Sequence, residues 1–229
     1  MAEPLKNLVT RAWVEDLGAA AAKRESAFDT RRFIRAVFDD AWPDRELKQR
    51  LRHVGACLYE GLSGDVPRRM TVLTDIGPRF SGLNALVFPD IVEQYGLDHW
   101  DVSMKALEVF TPLCSSEFAI RPFIVKDPVR AMAQMRKWAL SRNEHVRRLA
   151  SEGCRPRLPW GMALPVFKRD PAPVLEILEV LRDDPSEYVR RSVANNLNDI
   201  SKDHPDVLLA VAKRWLKESP STARLLKHA

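Results

Sequence analysis

The feature that most constrains this chain is that it repeats itself. Residues 143–150, NEHVRRLA, return as residues 186–193, SEYVRRSV, with Val146 and Val189 43 residues apart and the pairs Arg147-Arg148 and Arg190-Arg191 in the same register. The segment ahead of each echoes as well, Trp138 falling opposite Leu181. Further on, RWLKESPSTARLL resembles KWALSRNEHVRRL, and here Trp138–Trp215 and Arg147–Arg224 share an offset of 77, so the last connection is shorter. A helix pair of this kind cannot bury its apolar face alone; neighbouring pairs must stack on one another.

Helix pairs recurring every ~40–47 residues have the HEAT/armadillo period. The rest of the chain agrees with an all-α, HEAT-like repeat α-solenoid with a concave face. Strand patterns are scarce, only 9 glycines are present, and most of the 16 prolines fall between periodic apolar segments, where they start or end helices. Helices are predicted near 4–24, 28–40, 43–62, 66–75, 83–94, 98–113, 116–124, 128–140, 143–153, 159–167, 171–182, 186–199, 205–217 and 221–229. A single repeat domain over 1–229 is expected.

Composition narrows the function classes. With 45% hydrophobic and 29% charged residues the chain is globular rather than disordered. The net charge of +5 is compatible with a polyanionic partner without requiring one. Cys57, Cys114 and Cys154 are three, widely spaced and without a CxxC pair, which argues for unremarkable thiols in a reducing compartment. The five histidines are scattered, so no metal site or cofactor is expected. No apolar run approaches the length that spans a bilayer, and a cytoplasmic monomer with no membrane association is expected.

Helix geometry then sorts the repeat residues. Val146, Leu149, Ala150 and Gly153 recur at the spacing of a buried stripe, while Arg148, Glu152 and Arg155 at i, i+4 and i+7 share a polar ridge. One repeat later the ridge reads Arg191, Asn195 and Asn198. Two such ridges would let a groove follow a phosphate backbone; polar contacts between repeats explain Arg191, Asn195 and Asn198 about as well. Residues 150–165, ASEGCRPRLPWGMALP, depart from a generic repeat: a stiff proline-bearing passage holds Arg155, Arg157 and Trp160 near the helix end that carries Glu152. Upstream, SSEFAIRPF (115–123) sets an acidic residue beside an aromatic one, with Arg121 a turn later. Carboxylate, arginine and aromatic residues together suit a DNA site, in which arginines grip phosphates, an aromatic packs on base or sugar, and a carboxylate faces an emerging positive charge. The remaining tryptophans, Trp13, Trp42, Trp100, Trp138 and Trp215, read as core, and Lys23, Arg24, Arg31, Arg32 and Arg35 as a solvated face.

The blocks MAEPLKN, ELKQRLRH, SSEFAIRPF, MAQM, HVRRLASEGCRPRLPW, DPAPVLEIL and DDPSEYVRRSVANNLNDISKDHP resemble AlkC-type alkylation repair glycosylases, relatives of the AlkD type with the same HEAT-like fold. The resemblance runs over nearly the whole chain. It implies a monofunctional glycosylase that removes cationic bases from double-stranded DNA: 3-methylcytosine chiefly, with 1-methyladenine and 3-methyladenine as other substrates, and without flipping the base. It implies Glu152 as the first choice for the catalytic carboxylate, Glu117 as the second choice or as a partner that orients water or substrate, and Trp160 at the deoxyribose. Phe118, Arg148, Arg155, Arg157, Arg191 and Asn195 are then the candidate DNA contacts. An open cleft exposing Glu152 is expected. Some family members add an immunoglobulin-like domain after KHA, where this chain ends, so no such extension is expected. The alternatives are a HEAT-like protein that binds DNA without cutting it and a protein-binding scaffold.

Overall fold

The computed structural model describes residues 3–218 and 222–226, the side chain of Arg224 excepted. Every regular element among these residues is helical. The chain packs as two compact units, Met1–Ala119 and Ile120–Ala229.

The first unit holds α1 (Arg11–Arg24), α2 (Thr30–Val37), α3 (Leu47–Gly61), α4 (Val66–Ile76), α5 (Val87–Tyr95) and α6 (Trp100–Phe110). The single helix expected over 4–24 is a 3-10 turn at Leu5–Leu8 followed by α1, because Thr10 stops one and caps the other by accepting the Trp13 amide. Helix α1 packs on α2 and α4, α3 on α5, and α4 on α6. Val14, Leu17, Val54, Leu58, Met70, Leu73 and Ile91 are buried, and Phe88 and Phe110 stack at 5.2 Å.

The second unit holds α7 (Arg121–Lys126), α8 (Pro128–Ala139), α9 (Glu144–Glu152), α10 (Pro165–Arg169), α11 (Ala172–Leu181), α12 (Glu187–Ser201), α13 (Pro205–Glu218) and α14 (Thr222–Leu226). The repeat read from the sequence is here in three dimensions: α8 packs on α9, α11 on α12, and α9 lies against α12. Val146 and Val189 are both buried, as are Trp138 and Leu181. Trp138 and Trp215 are core, as expected, whereas Trp13, Trp42 and Trp100 are only half-buried. Two predicted helices start late. Residues 117–120 form a turn before α7, and 159–164 stay irregular until Pro165 opens α10. The match of Arg224 to Arg147, and residues 227–229 of the last predicted helix, lie outside the described residues.

One device recurs at helix starts in both units. Arg50, Arg69, Arg147 and Arg190 each stand fourth in α3, α4, α9 and α12, and each guanidinium donates to the carbonyl five residues back, of Arg45, Gly64, Arg142 and Pro185. Arg147 and Arg190 also reach the carbonyl six back, of Ser141 and Asp184. An Arg fork satisfies carbonyls in a tight turn that no backbone amide reaches.

Candidate active site

In the second unit, α9 ends at Glu152, and Gly153 follows because nothing larger fits. A Cβ there would sit 2.7 Å from the Ile120 Cγ2 and 3.0 Å from the Met135 Cε. The chain then runs to Pro165 without regular structure, and this passage brings several of the expected residues together.

Glu152 lies at the centre, 4% exposed. Its Oε1 accepts from the Arg155 Nη1 at 2.7 Å and faces the Arg148 Nη2 at 3.4 Å; its Oε2 accepts from the Ser192 hydroxyl at 2.5 Å. Arg155 continues the line to α12, its Nε donating to the Asp199 Oδ2 at 2.9 Å and its Nη2 to Oδ1 at 3.3 Å. Arg157 donates its amide to Asp199 and its guanidinium to Asp203, at 2.7 Å. Carboxylates and guanidiniums therefore alternate from α9 to the end of α12. Burial works against the charge on Arg155, but the bonds and fields of Asp199 and Glu152 outweigh it and hold its pKa above the ordinary arginine value.

This placement corrects two expectations. The sequence predicts Glu152 on an open surface, yet both of its oxygens are enclosed by donors. Arg155 is expected to grip phosphate, yet at 8% exposure its donors are committed to carboxylates. Arg148, half-buried, lies with its guanidinium 5.1 Å from the Tyr188 ring centre. Arg157 is more open, its side chain 36% exposed. Arg191 stands apart on α12, 65% exposed and paired at 3.5 Å with Glu187. Asn195 is half-buried on the same helix.

Trp160 is 66% exposed and is the one non-glycine among the described residues with positive φ, at 63°. It is the third residue of a turn closed by the Gly161 amide on the Leu158 carbonyl at 3.1 Å, with Pro159 second. That is the pattern of a type II turn, in which the third position normally takes glycine. Holding a tryptophan there costs about 1–3 kcal/mol, a strain that persists only where the surroundings enforce it. Arg121, a turn after Glu117 and Phe118 in sequence, has no exposed surface and donates to three carbonyls of this passage, those of Gly153, Arg155 and Met162.

In the first unit, Glu117 is half-buried and accepts from the Ser115 hydroxyl at 2.7 Å. Phe118, also half-buried, carries the Lys48 ammonium 4.8 Å from its ring centre. It lines a small cavity with Lys48, Leu51, Leu86, Pro89 and Glu93.

The residues that sequence reasoning missed are Ser192, Asp199 and Asp203. Their signal was available. Ser192, Asn196 and Asp199 follow one another at i, i+4 and i+7, the spacing of a buried stripe, and polar residues in such a stripe need partners across an interface. Burial pushes the Cys154 thiol up to about 12 and the Cys57 thiol up to about 11. No helix among the described residues is long and apolar enough to cross a membrane.

Comparisons with known proteins bear on this site. Residues 114–225, the segment that carries it, match the family described as DNA alkylation repair enzyme. YhaZ, an uncharacterized protein of Bacillus subtilis strain 168, is 52% identical over 202 residues, spanning 88% of this chain and 57% of its own. Among solved structures, the alkylpurine DNA glycosylase AlkC of Pseudomonas fluorescens, bound to DNA containing an abasic site analog, superposes with a TM-score of 0.95 at 40% identity, over 100% of this chain and 64% of that one. AlkD2 from Streptococcus mutans is 25% identical over 96% of each chain, with a TM-score of 0.46. This chain thus spans about three fifths of the length of YhaZ and of the Pseudomonas glycosylase.

Proposed function

We infer from the match of residues 114–225 that the chain belongs to the DNA alkylation repair enzyme family, and we propose that it is a monofunctional glycosylase acting on double-stranded DNA, which hydrolyses the N-glycosidic bond of cationic N-alkylated bases without flipping them. The substrates are 3-methylcytosine first, then 1-methyladenine and 3-methyladenine. The observation that carries this reading is Trp160, a large aromatic side chain held exposed in a backbone conformation that disfavours it, beside a ladder of buried carboxylates and arginines.

A ring nitrogen bearing an alkyl group makes the base a cation, and therefore already a good leaving group. Ordinary glycoside hydrolysis needs an acid on one side and a second carboxylate on the other; here the acid is dispensable. What remains is to stabilise the oxocarbenium-like sugar and supply water. Trp160 offers its π face to the deoxyribose. Of the two candidate carboxylates, Glu117 keeps solvent access and takes the catalytic role in this reading, while Glu152 fixes Arg148 and Arg155. Arg148, Arg157, Arg191 and Asn195 contact the DNA backbone, and Phe118 packs on the duplex.

The enclosure of Glu152 by three donors favours a second reading, a protein that binds DNA without cleaving it. One experiment separates the two: base release from a duplex bearing a single 3-methylcytosine, measured for the parent chain and its Glu117→Gln and Glu152→Gln variants, with DNA affinity followed in parallel. Release by the parent, lost in Glu117→Gln with affinity intact, supports the assignment. Loss in Glu152→Gln alone reassigns the carboxylate. No release by the parent despite salt-sensitive binding establishes the non-catalytic reading.

A further inference from the structure

Three carbonyls are drawn onto one buried guanidinium, and they flank Trp160, the one non-glycine of positive φ among the described residues, on both sides in sequence. Arg121, the first residue of α7, donates from Nη1 to the Gly153 carbonyl at 2.9 Å, from Nη2 to the Arg155 carbonyl at 2.9 Å, and from Nε to the Met162 carbonyl at 2.6 Å. The first two lie before the turn of Trp160 and the third just after it. A second tie within the passage, from the Leu164 amide to the Pro156 carbonyl at 3.1 Å, closes the same loop outside the turn. A planar fork of five donors is what makes three such bonds possible from one residue; a lysine ammonium presents a point charge that cannot span them.

We propose that Arg121 is the positioning residue for Trp160: it pins both ends of the 153–162 loop, so that the turn cannot relax the positive φ at Trp160 by spreading its ends, and the indole stays presented to the sugar. Resting on the glycosylase reading given above, it assigns Arg121 a part in the reaction with no contact to DNA. The burial of Arg121 separates this role from phosphate binding, since a side chain with no exposed surface cannot reach a phosphate.

The test replaces Arg121 with lysine, which keeps the charge and loses the fork, and uses two independent readouts. The chain has six tryptophans, hence six indole N–H resonances, and that of Trp160 is identified by its loss in Trp160→Gly. In Arg121→Lys the Trp160 resonance is expected to shift or broaden while those of Trp13, Trp42, Trp100 and Trp215 stay in place. Release of 3-methylcytosine should slow by about 100-fold, the cost of a misplaced group near the chemistry, with DNA affinity within about 2-fold of the parent. A folded Arg121→Lys whose Trp160 resonance is unmoved overturns the proposal, and so does full activity despite a moved resonance. If the parent releases no base, the glycosylase reading fails, and the resonance alone decides whether Arg121 positions Trp160. If Arg121→Lys does not fold, the double variant Arg121→Lys/Trp160→Gly decides: glycine removes the strain, so recovery of the fold supports the proposal and failure to recover it overturns it.

Discussion

Helices α9 and α12 begin alike, EHVRR against EYVRR, and then diverge. Up to the fourth residue they match: Val146 and Val189 are buried, and Arg147 and Arg190 both tie down the preceding turn. Beyond it they part. In α9 the next arginine looks inward, Arg148 to Glu152, and the ridge turns into a buried ladder; in α12 Arg191 pairs with Glu187, and the position of Glu152 is taken by Asn195. The shared positions make a repeat, and the divergent ones carry the proposed site. Stacking constrains only the inner stripe and the turn, so the remaining face of each copy is free to specialise.

The comparison is broken most forcefully by removing the ridge carboxylate. Glu152→Ala leaves Arg155 and Arg148 short of a partner in a buried setting and should cost roughly 3–5 kcal/mol of stability. Asn195→Ala, the same position one repeat on, should stay within about 1 kcal/mol. Urea unfolding of the pair measures both; equal losses would mean that the ridges are equivalent after all.

The shared staples come next. Arg147→Ala severs two carbonyl bonds and the ion pair to the buried Asp184, and should cost about 3 kcal/mol. Arg190→Ala loses carbonyl bonds only, and about 1 kcal/mol is expected. Thermal melts of both variants rank them.

Trp160→Gly reverses the usual sign. Glycine accepts the positive φ, so stability should hold or rise by up to about 1 kcal/mol while base release collapses, the mark of strain kept for function. A variant that is both less stable and fully active would remove Trp160 from the site.

A smaller effect is expected at Arg191 on α12. Arg191→Ala should leave the melting temperature in place and lower the slope of log affinity against log salt by about 1, one phosphate contact. Fluorescence-anisotropy titrations at several salt concentrations read this directly.

The smallest concerns the tie between the repeats at Asp203. Its hydrogen bond to Arg157, foremost, holds its carboxyl below the ordinary aspartate range. A depressed folded pKa means that the pair stabilises the fold above the unfolded value and that this contribution disappears as the pH falls through the folded one. Melting temperatures of the parent and of Asp203→Asn should therefore differ slightly at neutral pH and converge below about pH 4.

The sequence is most informative where local rules act. The 43-residue echo, the Val146/Val189 stripe and the proline-marked ends lead to an all-helical repeat because each depends on residues within a few turns of one another. It is least informative where a side chain's fate depends on what lies across an interface. Glu152 reads as an open ridge residue from its own helix, and it is the Ser192 hydroxyl of α12, together with Arg155 held by Asp199, that encloses it. Nothing in the sequence near Arg121 announces that the carbonyls of a loop 32 to 41 residues away close over it. Trp160 was legible as a candidate but not as a strained one, since Leu-Pro-Trp-Gly announces a turn without saying which residue must take the left-handed conformation.

The arginine at the fourth position of α3, α4, α9 and α12 has a consequence for how the chain assembles. Each of these bonds closes a loop of only five or six residues, so the entropy of bringing its ends together is small and is met before any distant segment arrives. The bend into a helix can thus be set while its stacking partner is still unmade. A polypeptide built this way emerges as a series of corners already turned, and assembly is left with the simpler task of laying straight pieces side by side.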